Sequence, residues 1–219
     1  MDIVLDDTEL RILGCLIEKE LTTPEYYPLS LNSLTNACNQ KSNRSPVVSF
    51  NEADVAQGLE KLQEKGLARK TLIAGSRVTK YLHTILDGFD LSRQEIAIIC
   101  ELMLRGPQTM GELRTHAERM SPFEGLEEVE KKLQALMDYD PALVIKLPRE
   151  AGRKECRHMH LFSGIPSRDL SEISTISTEL AAPQLTVQER LSRLEEENSK
   201  LRGELEELKQ AFAEFRSQF

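Results

Sequence analysis

An internal repeat constrains this chain more than any other feature. A pattern of three helices and a hairpin opens the sequence and returns about 86 residues later, and two copies of one pattern restrict the fold far more than either alone. In the first copy Leu10, Ile12, Leu13, Leu16, Ile17 and Leu21 recur at mostly three- and four-residue spacing behind Thr8 as N-cap, which predicts a helix with one buried face. Pro24 and Pro28 impose an extended connection. A second helix is predicted from Ser30 to about Gln40 on Leu31, Leu34 and Ala37. A third runs from about Asn51 to Lys65 on Val55, Leu59 and Leu62, with Gly66 as its left-handed stop. Leu67 to Thr84 alternates around Gly75-Ser76, the mark of a β-hairpin.

The second copy begins where Leu91-Ser92-Arg93-Gln94-Glu95-Ile96 aligns with Leu5-Asp6-Asp7-Thr8-Glu9-Leu10. Its helices are predicted on Ile96 to Leu104, closed by Gly106-Pro107, then from Thr109 to Met120 and from Leu126 to Asp138. Leu143 to Phe162 reads as strand, turn and strand. The hairpin phrase Gly75 to His83 lines up with Gly152 to His160, at an offset of 77, because the second copy lacks the Tyr26-Tyr27-Pro28 insert and is trimmed elsewhere.

Three helices followed by a hairpin is the order of a winged helix. The predicted fold class is therefore mainly α with small β wings (α+β): winged-helix modules over 1–88 and 89–164, a Ser/Thr-rich linker over 165–184 and a C-terminal coiled-coil helix over 185–219. In that helix Leu191, Asn198, Leu205 and Phe212 fall at heptad position a, and Leu194, Leu201 and Leu208 at d. In a parallel pair Arg190 meets Glu195, Glu197 meets Arg202 and Glu204 meets Lys209, all attractive. Asn198 at a favours a two-stranded parallel register. The expectation is a homodimer through this helix; the other reading is an amphipathic helix folded back on its own chain.

Composition removes several functions. Lys+Arg 28 against Asp+Glu 36 gives a net charge of -8, so bulk charge does not hold nucleic acid. No run reaches the ~20 apolar residues of a membrane helix, and Met1 to Asp7 lacks the basic-then-apolar start of a secretory signal. Cys15, Cys38, Cys100 and Cys156 form no CxxC, which fits reduced thiols in a cytoplasmic protein. No phosphate loop, nucleophile elbow, HExxH or dinucleotide fingerprint occurs, so no enzyme, cofactor or catalytic residue is expected. Cys156-x-His158-x-His160 puts three ligand types on one strand face. Same-face neighbours diverge and no fourth ligand stands at a recognised spacing, so wing packing is the expectation and no metal.

Two regions suit nucleic acid. Asn39, Gln40, Lys41, Ser42, Asn43 and Arg44 crowd amides, a hydroxyl and two cations into the turn between the second and third helices, where they either touch phosphates and base edges or cap helices and build turns. The wings carry Arg69, Lys70, Arg77 and Lys80, and Arg149, Arg153, Lys154 and Arg157 with Lys146. Against a DNA surface, the third helices, which would enter the major groove, open with acids: Glu52 and Asp54 in one copy, Glu127, Glu128 and Glu130 in the other. Helix-dipole stabilisation explains acidic first turns without a partner.

The phrases Leu13-Gly14-Cys15-Leu16-Ile17-Glu18-Lys19-Glu20-Leu21-Thr22-Thr23-Pro24, Pro28 to Asn32, the run on to Arg44-Ser45-Pro46, Arg105-Gly106-Pro107-Gln108-Thr109 with Gly111-Glu112-Leu113-Arg114, and Leu147-Pro148-Arg149-Glu150 resemble the bacterial YceH family over about residues 5 to 164. The resemblance implies tandem winged helices in a bacterial cytoplasm and brings no activity or catalytic residue with it. Two functions follow as expectations. The first is a dimeric protein that binds double-stranded DNA through its wing cations, a transcriptional regulator. The second is a protein–protein adaptor like the tandem winged-helix subunits that bind a kleisin, for which a net acidic surface is no handicap.

Overall fold

Residues 3–72, 78–149, 152 and 155–164 are described by the computed structural model; the expected linker, coiled coil and dimer contacts lie outside them. Helix α1 (Asp7–Thr22) starts two residues earlier than a Thr8 cap would place it. Asp6 is the N-cap: its carboxylate accepts the Glu9 N–H at 2.8 Å, and Glu9 returns the bond to the Asp6 N–H at 2.7 Å. An Asp-x-x-Glu box satisfies two orphan donors, where a lone threonine satisfies one. The same box recurs at Ser92/Glu95 before α5 (Arg93–Arg105) and at Thr109/Glu112 before α6 (Met110–Ala117).

Helix α2 (Leu31–Cys38) is capped by Ser30, and α3 (Glu52–Glu64) by an Asn51/Asp54 box. Gly66 takes φ +71° just past α3, the left-handed stop expected there. Strands β2 (Ala68–Thr71) and β3 (Lys80–His83) pair antiparallel, Ala68 opposite His83 and Thr71 opposite Lys80. The extended connection after Pro28 contributes a strand that alternation did not reveal. This strand, β1 (Leu29–Ser30), pairs with β3, so the sheet order is β1-β3-β2. Two residues are too few to show a period.

After the one-turn helix α4 (Ile85–Gly88) and α5, the second copy repeats the plan. Helices α6 and α7 (Leu126–Met137) precede β4 (Val144–Lys146) and β5 (His158–His160), which pair antiparallel. Gln108 stands where β1 stands in the first copy and makes a single bridge to His158, its backbone exchanging bonds at 3.1 and 2.7 Å. The second helix is shorter than expected, ending at Ala117.

The copies share one apolar core. Helices α1 and α5 run antiparallel: Arg93 donates to the Leu21 carbonyl at 3.2 Å, while Cys100 Sγ donates to the Gly14 carbonyl. Glycine at 14 permits this approach, since a Cβ there would sit 2.9 Å from Leu104. As a result α1 is buried from Glu9 to Glu18. The face the sequence leaves polar is covered by the second copy. The chain start is tied in as well, Leu5 N–H donating to the Phe162 carbonyl at 2.7 Å.

Candidate nucleic-acid interface

The turn after α2 is mostly a structural knot. Asn39 grips the Phe50 backbone twice, accepting its N–H at 2.8 Å and donating to its carbonyl at 2.7 Å. The Gln40 side-chain oxygen accepts from Arg44 at 3.1 Å. Asn43 takes a left-handed φ of 59° and accepts from Arg105 at 2.5 Å. Lys41 and Ser42 are exposed. These positions divide between the two options left by the sequence: Asn39, Gln40 and Asn43 build the turn, and Lys41 and Ser42 face solvent.

Arg44 is a correction to the expected phosphate anchor. Its side chain is 0% exposed and forks onto Glu18, also 0% exposed, at 3.0 and 2.5 Å. It donates further to the Ala37 carbonyl at 3.2 and 3.0 Å. A guanidinium so enclosed reaches no external phosphate. Burial alone would raise the Glu18 carboxyl, but the bonds and charge of Arg44, joined by Arg119 and Lys19, hold it at about 2. Arg119 of the second copy meets Glu18 at 2.6 Å and Glu101 at 2.7 Å. Glu101, 0% exposed, also pairs with Arg105 at 2.9 Å. Five charged side chains thus cross the seam between the copies in alternating sign.

The sequence reading missed this network, although a signal existed. Glu101 interrupts the apolar run Ile98-Ile99-Cys100-Glu101-Leu102-Met103-Leu104, and Glu18 sits at helical spacing from both Cys15 and Leu21. A carboxylate on a buried face needs a cationic partner.

Arg157 is likewise drawn inward. It donates to the Pro107 carbonyl at 2.6 Å and pairs with Glu112 at 3.2 Å, with 22% of its side chain exposed. Arg69 and Lys70 on β2, and Arg149 after β4, are exposed, and Lys80 on β3 is half-buried. Arg77, Arg153 and Lys154 lie outside the described residues. Charge is strongly segregated along the chain: residues 67–84 hold four cations and no carboxylate, and 143–160 hold five cations and two carboxylates, in a protein of net charge -8.

The third helices show the opposite sign. Glu52, Asp54, Glu60 and Glu64 are exposed on α3, and its Lys61 is paired with Asp6 at 2.8 Å. Asp54 belongs to the capping box, and Glu52 accepts from Asn32 at 3.0 Å, so the acidic first turn has structural work to do. Glu127 and Glu130 are exposed on α7. His158 and His160 are buried on β5, and desolvation holds both imidazoles at about 4. No group of three or more His, Cys, Asp or Glu is placed to hold a metal among the described residues. No helix among them is long and apolar enough to cross a membrane.

Residues 5–153 match the family described as "Protein of unknown function, DUF480". The chain is 51% identical to a UPF0502 protein of Geotalea uraniireducens (strain Rf4), over 100% of both chains. It is 50% identical to a UPF0502 protein of Pelobacter propionicus and 52% identical to one of Geobacter sulfurreducens, again over 100% of both chains. On a match over 149 residues and full-length likeness to these bacterial proteins, which carry the name UPF0502, the chain belongs to the DUF480 family.

Proposed function

We propose that each helix–helix–helix–hairpin copy is a winged helix and that the protein is a non-enzymatic, cytoplasmic regulator that grips double-stranded DNA by its wings. The order β1-β3-β2, with the short first strand placed just before the second helix, supports the winged-helix reading, and the Gln108 bridge gives the second copy the same plan. One observation carries the DNA reading: cations gather on the two hairpins of an otherwise acidic chain. Such hairpins lie along phosphates and neutralise them, a sequence-independent contact. Lys41, Arg69, Lys70, Lys80 and Arg149 supply the charge, with Arg77, Arg153 and Lys154 beside them in sequence. The acidic α3 and α7 stay out of the groove, so base readout is weak. The C-terminal heptads pair two chains and double the number of wings.

The test is fluorescence anisotropy of the full chain against mixed-sequence duplex DNA at low and near-physiological salt. Five phosphate contacts make affinity fall roughly several hundred-fold for a four-fold rise in salt. Arg69→Glu with Lys70→Glu removes binding, whereas Arg157→Met changes it little. Absence of binding at low salt overturns the reading. A protein-adaptor function is the second reading, and the exposed carboxylates of α3 favour it, because they suit a basic protein segment.

A further inference from the structure

The seam between the copies holds a cavity of about 410 Å³, a size that small organic ligands occupy. Its walls come from both copies: the first turns of α1, the chain leading to Phe50, the C-terminal end of α5, and β5. Leu10, Phe50, Leu102 and Met103 make it apolar, and Met159 stands on its β5 side. Of the polar side chains in this lining, Arg11 and His160 are buried, 4% and 6% exposed.

Arg11 is an anomaly. Its two terminal nitrogens donate to the carbonyls of Cys38 at 3.3 Å and Pro46 at 2.6 Å, while its Nε has no acceptor. Among the described residues no carboxylate pairs with it. Of the buried acids on α1, Glu9 is engaged by Lys65, and Glu18 by Arg44 and Arg119. A buried guanidinium held only by carbonyls keeps an uncompensated positive charge, which is costly unless an anion completes the site. His160 Nδ1 also has no partner. Its imidazole is neutral because burial depresses its basicity, so it offers a hydrogen bond without adding charge. Asp7 is the carboxylate in the lining, and it is exposed on the first turn of α1.

We infer that this cavity binds a small monocarboxylic acid with an apolar body, its carboxylate drawn by Arg11 and its chain or ring laid against Leu10, Phe50, Leu102 and Met103. The site touches both copies, so its ligand bears on how they pack. It does not rest on DNA binding: its residues are not the wing cations, and it can be tested without DNA.

The experiment is calorimetric titration of the full chain with octanoate and with phenylpropanoate, beside octanol and octylamine. The two acids separate a fatty from an aromatic source of the same chemistry. At least one acid binds about ten-fold more tightly than octanol, as a charge-assisted bond requires, and octylamine binds no better than octanol. Arg11→Met removes that preference. Because Arg11 also ties α1 to its neighbours, Met159→Trp provides a second variant: it fills the cavity with Arg11 intact and abolishes binding. Asp7→Asn, which removes like charge, tightens the acid. Octanol or octylamine binding as well as the acids, undiminished binding in Met159→Trp, or no binding by any probe overturns the inference.

Discussion

Replacing Glu18 by glutamine should destabilise the protein more than almost any other change that keeps side-chain shape. Glu18 is 0% exposed and accepts two bonds from an equally buried Arg44, while Arg119 closes on it from the second copy at 2.6 Å. Its carboxyl is held at about 2 against an ordinary 4.5, a difference worth roughly 3 kcal/mol in favour of the ionised fold. Removal of one partner of a buried pair costs about 3 to 5 kcal/mol, because the other charge is left unpaired. The two magnitudes agree. In Glu18→Gln the amide offers one acceptor in place of two and turns donors toward guanidinium groups. The expected loss is about 3 kcal/mol, and Tm falls by on the order of 10 °C. Urea unfolding followed by circular dichroism measures it, with a double-mutant cycle through Arg44→Met. Since the Glu18→Gln/Arg44→Met double variant leaves fewer unpaired charges, it should lose less than the sum of the two single variants. The sign in pH follows from the depressed pKa: this stabilisation is complete above about 4.5 and is lost as pH falls toward 2. A Glu18→Gln loss below about 1 kcal/mol, or strictly additive single variants, would refute a buried lock.

Other outcomes follow from the same geometry. His158 and His160 are both held at about 4 by desolvation; the unfolded chain binds more protons between that value and the ordinary 6.5, so stability declines as pH falls through this window. Each contributes up to roughly 3 kcal/mol, and His160→Phe should flatten the urea midpoint against pH there. Gly14→Ala drives a methyl to 2.9 Å from Leu104, for a net loss of about 1 to 2 kcal/mol after its better helix propensity. Leu104→Ala alone opens a cavity, and the two changes together should lose less than their sum by thermal unfolding. Arg44→Met should lower the urea midpoint while the folded fraction keeps the DNA affinity proposed above, since its guanidinium is enclosed; a large loss of that affinity at full folding would return Arg44 to the proposed interface.

The sequence by itself determined the local elements and their order. Capped starts at Ser92 and Thr109, the stops at Gly66 and Gly106, and the three- and four-residue apolar spacing all depend on neighbours within a turn or two, so one strand of text carries them. The repeat was legible for the same reason. Tertiary structure decided which polar groups are free. Arg44, Lys41 and Arg149 look alike in sequence, yet Arg44 is enclosed because Glu18, 26 residues away, needs a counter-charge once α5 covers α1. The two-residue β1 exists only through its pairing with β3, some 50 residues downstream. Glu18 meets Arg119, and Arg11 lines a cavity, only because the two copies pack face to face. Burial is a property of the whole fold, and the burial of a charge decides whether it meets a partner inside the protein or a phosphate outside it.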